Sequence, residues 1–84
     1  MSDQDASAKI LQKVRELARG LGRDTTSLRS ADIIPTSGIL DSAGLMELIL
    51  WYESEFGLSI PQEDFTIENL GSVDLMVGYL AQQR

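Results

Sequence analysis

An 84-residue chain with no cysteine and no histidine has room for one small domain and excludes disulfides, thiolate nucleophiles, zinc-finger spacing and imidazole acid–base catalysis. Its 43% hydrophobic and 24% charged residues give an ordinary globular balance, so 1–84 reads as a single domain with its core over residues 6–82. The net charge of −6 is unevenly spread: residues 1–30 hold six basic and four acidic side chains, whereas residues 31–84 hold Arg84 against nine acids.

That acidic second half argues against contacts with a nucleic-acid backbone, which need clustered Lys and Arg. It favours a basic protein partner, met with electrostatic steering. The start, MSDQDASAK, lacks the basic-then-apolar pattern of a secretory signal, and the apolar run Leu48 to Tyr52 is far too short to span a bilayer. The expectation is a monomer of the cytoplasm.

In chain order, Ile10, Val14, Leu17, Ala18 and Leu21 recur at helical spacing and predict a helix over about 6–20. Ser7 or Asp5 is a candidate N-cap, and Gly20 or Gly22 a candidate end. Residues 21–41 read as a long connection, because Asp24-Thr25-Thr26-Ser27 is turn-like and Pro35 resists helix. Leu28, Ile33, Ile34, Ile39 and Leu40 predict that this loop packs on the helices. A second long helix follows, with Leu45, Leu48, Ile49, Tyr52 and Phe56 as its core stripe and Gly57 at its C-terminal cap. Gln62 to Phe65 and Ile67 to Leu70 read as a turn and a short third helix. Ser72 then caps a fourth, with Asp74 in its first turn and Val73, Met76, Val77 and Leu80 facing inward. No segment alternates with period two. The predicted fold is all-α: a small four-helix bundle, three helices longer and the third short, with a long packed loop between the first two.

The stretch Gly38-Ile39-Leu40-Asp41-Ser42-Ala43-Gly44 precedes the second long helix. Taken alone, Ser42 is a helix N-cap, worth about 1 kcal/mol. The residues around it allow a second reading. Gly38-Ile39-Leu40-Asp41-Ser42 leading into Leu45-Met46-Glu47-Leu48-Ile49 resembles the attachment motif of the acyl and peptidyl carrier proteins. Glu55-Phe56-Gly57-Leu58-Ser59-Ile60-Pro61 is similar to that family's block at the end of helix 2. Glu63-Asp64-Phe65 through Glu68-Asn69-Leu70-Gly71-Ser72-Val73 resembles its entry into the last two helices.

The resemblance implies that Ser42, preceded by Asp41, carries 4′-phosphopantetheine from coenzyme A through a phosphodiester. The arm's thiol would hold an acyl or aminoacyl group as a thioester. Such a chain is a phosphoprotein and not an enzyme. It implies as partners a phosphopantetheinyl transferase, an acyl- or aminoacyl-loading ligase or acyltransferase, and downstream synthases with basic docking patches. A chain without cysteine agrees with a sulfur supplied by the added group.

Two positions depart from the family's commonest pattern. Ala43 stands where many members have the leucine that a partner grips, and Gly44 follows. This resembles D-alanyl carriers and related stand-alone carriers more than carriers of fatty-acid or polyketide biosynthesis. Either the small residues admit close approach by a partner or the arm, or they are drift at an exposed position.

Beside Ser42, the residues Met46, Leu50 and Glu53 share one side of the helix, with Glu47 and Trp51 adjacent. One reading makes Met46, Leu50 and Trp51 an apolar docking patch ringed by Glu47, Glu53 and Glu55. The other packs Met46 and Leu50 under Ile33, Ile34 or Ile39. Two further readings of the whole chain compete with a carrier. A plain helical interaction module would use Ser42 only as a cap. An enzyme would need a base–nucleophile pair, which is not visible here. Glu63, Asp64 and Glu68 crowd the start of the third helix but do not match an EF-hand loop, so no metal site is expected.

Overall fold

The computed structural model describes residues 3–83. Its elements are all helical: α1 (Asp3–Gly20), α2 (Ile34–Ser37), α3 (Ser42–Phe56), a 3₁₀ turn (Gln62–Asp64), α4 (Ile67–Leu70) and α5 (Val73–Gln82). The three long helices make a small bundle in which α1 packs against both α3 and α5, and α4 leads directly into α5.

α1 begins three residues before the predicted start. Asp5 and Ser7 therefore lie inside it, and the position that would cap it falls outside the described residues. Ala6, Ile10, Val14 and Ala18, spaced by four, are all fully buried. The helix ends as its glycines predict. Gly22 takes φ +75°, so that the Arg23 N–H reaches the Ala18 carbonyl at 2.9 Å and the Gly22 N–H reaches that of Arg19 at 3.0 Å. These two bonds make a Schellman motif. Beyond it, the Asp24 carboxylate accepts from both the N–H and the hydroxyl of Thr26, which holds its pKa below the ordinary value.

The connection 21–41 is packed, as its apolar content requires: Leu28, Ile34 and Leu40 are buried. It is not helix-free, however. Pro35 sits in the first turn of α2, where a missing N–H costs nothing, and Gly38 at φ +72° ends that turn. The Ile34 N–H donates to the Gly71 carbonyl at 2.7 Å, and the Asp74 N–H donates to that of Ser30 at 3.0 Å. Both bonds tie the loop to the corner between α4 and α5.

Leu48 and Tyr52 are buried on α3, with Leu45, Ile49 and Phe56 partly covered at the edges of the same stripe. The Tyr52 hydroxyl donates to the Met76 carbonyl of α5 at 2.7 Å. Thr66 caps α4 through the Asn69 N–H, and buried Ser72 caps α5 through the Leu75 N–H at 3.1 Å. Tyr79, absent from the predicted inward face of α5, is also buried; its hydroxyl donates to Asp64 at 2.7 Å.

Candidate attachment site at Ser42

The start of α3 is set by its neighbours on both sides. Leu40 is buried in the core, which fixes where the chain enters, and Leu45 and Leu48 fix the helix's rotation. Asp41, in extended backbone at φ −84° and ψ −177°, is therefore the N-cap. Its carboxylate accepts from the Gly44 N–H at 2.7 Å, and its carbonyl accepts from the Leu45 N–H at 2.9 Å.

Ser42 is thus not the cap but the first residue of the helix. Its side chain is exposed and makes no hydrogen bond among the described residues. The amides of Ser42 and Ala43 belong to the first turn, which has no intrahelical acceptors. A free hydroxyl beside free N–H groups and the positive end of a helix dipole suits a phosphate ester.

Gly44 is buried rather than exposed. A Cβ there would meet the Asp41 Oδ1 at 3.2 Å and Leu40 at 3.4 Å, so the small residue lets Asp41 close over the helix end. Ala43, by contrast, is exposed. Together with Gly44 it lines a cleft of about 270 Å³ between the first turn of α3 and the last turn of α1, completed by Glu16, Leu17, Gly20, Leu21, Asp41 and Glu47.

The residues predicted to flank the serine separate into four groups. Met46 and Leu50 are each 58% exposed and do not pack under the long loop. Trp51, about 100° further round the helix from Leu50, is half-buried. It meets the Phe56 ring edge-on at a centroid distance of 5.9 Å and lines a groove with Lys9, Gln12 and Lys13 of α1. Glu55 is held in the same groove by Lys9 at 3.0 Å. Glu53 is half-buried, and its carboxylate accepts from the Ile60 N–H at 2.9 Å, bracing the turn after α3. Only Glu47 of the acids on this side is both exposed and without a hydrogen-bond or ion-pair partner among the described residues.

Two further exposed apolar residues were not singled out by their spacing. Phe65 and Ile67 are 44% and 50% exposed. With Pro35, Leu45, Ile49 and Leu70 they line a crevice of about 200 Å³ between α3 and α4. The signal was Ile67 itself, a large apolar residue in a one-turn helix too short to bury both Ile67 and Leu70.

The chain is similar to Aminoacyl carrier protein 2 of Bradyrhizobium diazoefficiens. The two are 41% identical over 58 residues, covering 64% of this chain and 65% of the relative. The match spans slightly less than two thirds of the relative's length. No family profile matches the chain, and no solved structure matches it. Among the described residues, no helix is long and apolar enough to cross a membrane.

Proposed function

We propose that this chain is an acyl or aminoacyl carrier protein modified on Ser42 with 4′-phosphopantetheine. The observation that carries this reading is the division of labour at the start of α3. Asp41 does the capping, which leaves the Ser42 hydroxyl exposed and unbonded. A serine kept only as a cap would have the bond that Asp41 makes.

When bound, the arm supplies a thiol that holds the cargo as a thioester. The chain's own residues do the rest. Ser42 offers the oxygen for the phosphodiester, and the first-turn amides of α3 favour the negative charge placed beside them. Met46 and Leu50 form an exposed apolar surface next to that position, with Glu47 nearby to steer a basic partner. The relative's name supports an aminoacyl cargo. The small pair Ala43-Gly44 keeps the D-alanyl-like, stand-alone reading within that class.

The test is intact mass after incubation with coenzyme A, Mg²⁺ and a broad-specificity phosphopantetheinyl transferase, beside Ser42→Ala. A gain of one phosphopantetheine in the parent alone is expected. A folded protein that gains nothing from several transferases would instead be a plain helical interaction module.

A further inference from the structure

The cleft between α1 and α3 is built from the residues that bracket Ser42. Asp41 stands on one side of the serine in sequence, Ala43 and Gly44 on the other, and all three line the cleft. Its far wall is the last turn of α1 and the residue beyond it, with Leu17 and half-exposed Leu21 as apolar surface and Gly20 leaving space. Glu16, Asp41 and Glu47 stand at its polar edges; Glu16 is paired with Lys13 at 3.9 Å, and no cation lines the cleft itself. At about 270 Å³ it lies close to the lower end of the range for small-molecule clefts, about 300 Å³.

We propose that this cleft is the resting place of the pantetheine portion of the arm, an inference that rests on the carrier reading above. The carboxylates of Asp41 and Glu47, neither paired with a cation, disfavour any anionic occupant and leave the phosphate outside, at the amides of α3. Pantetheine beyond its phosphate is uncharged. Leu17 and Leu21 suit its branched methyl carbons, and the carboxylates can accept from its amide N–H groups. An occupant tethered to Ser42 also meets the cleft at high effective concentration. Ala43 is the residue that keeps the cleft open: a leucine there projects from the same wall.

The experiment compares ¹⁵N-labelled protein before and after modification, for the parent and Ala43→Leu, with intact mass as the check on modification. In the parent, the amides of Glu16, Leu17, Gly20 and Leu21 on the far wall should shift on modification. In Ala43→Leu those shifts should vanish, and iodoacetamide should alkylate the arm's thiol roughly two- to threefold faster, as the sheltered fraction is lost. Leu21→Ser, on the opposite wall, should act in the same direction. A confirmed mass gain with shifts confined to residues 41–46 overturns the cleft proposal and leaves the carrier reading standing. Absence of any mass gain overturns the carrier reading itself.

Discussion

The Asp41 carboxylate accepts the Gly44 N–H at 2.7 Å across the residue where a modification would be made. The two roles that Asp-Ser offers at a helix start are thereby separated. Asp41→Ala should cost about 1 kcal/mol, whereas Asp41→Asn should cost a few tenths. Ser42→Ala should change stability by less than about 0.5 kcal/mol, because no bond is lost. Urea denaturation of the three variants checks this. A Ser42→Ala loss as large as that of Asp41→Ala would return the cap to the serine.

Gly71 is required for a reason unconnected with its φ, which is an ordinary −77°. A Cβ there would lie 2.4 Å from the Ile67 carbonyl oxygen and 2.7 Å from the Ile67 Cγ2. The Gly71 carbonyl also holds the Ile34 N–H. Gly71→Ala should therefore destabilise the fold by roughly 1–3 kcal/mol. Thermal melts at one salt concentration read this directly, and an unchanged midpoint would contradict the close approach of Gly71 to Ile67.

The two glutamates on the proposed docking side should behave differently. Glu47→Lys should leave the melting temperature within a few degrees but slow loading by basic partners, most visibly at low salt. Glu53→Lys should slow loading and also lower stability by about 1 kcal/mol, since it removes the acceptor of the Ile60 N–H. Initial rates at low and high ionic strength, paired with melts, separate the two effects. Equal rates for Glu47→Lys and the parent at low salt would dispose of steering by Glu47.

Tyr52 and Tyr79 both have pKa values raised above the ordinary tyrosine range. The first is raised by burial and the second by its hydrogen bond to Asp64. A tyrosine that holds its proton more tightly when folded stabilises the fold fully below the unfolded pKa of about 10. That stability is lost as pH rises beyond it. Alkaline unfolding should therefore begin above about pH 10. Tyr52→Phe, which deletes the bond to the Met76 carbonyl, should cost about 1 kcal/mol at pH 7. Circular dichroism across pH 8–12 would show a flat profile if the tyrosines titrated alike in both states.

The net charge of −6 predicts self-repulsion that added salt screens. The melting temperature should rise between low and physiological ionic strength, and further with a divalent cation. No rise would count against charge repulsion as a limit on stability.

Much of this molecule was legible without coordinates because its determinants are local. The four-residue spacing of Ile10, Val14 and Ala18, the stripe from Leu45 to Phe56, the Ser72 cap and the Gly57 end all act within one or two helical turns. The resemblance around Asp41-Ser42 was equally readable. Non-local packing decided the rest. Asp and Ser are near-equal cap formers, and the burial of Leu40 and Leu48 selected Asp41. Helical spacing put Trp51 and Glu53 beside Leu50, but the presence of α1 turned Trp51 inward, and the turn after α3 engaged Glu53. Nor could sequence show that the Ile34 N–H meets the Gly71 carbonyl, or that Ala43 lines a cleft with Leu17. Each depends on an element brought near by the fold, whereas local spacing specifies only which residues share a face.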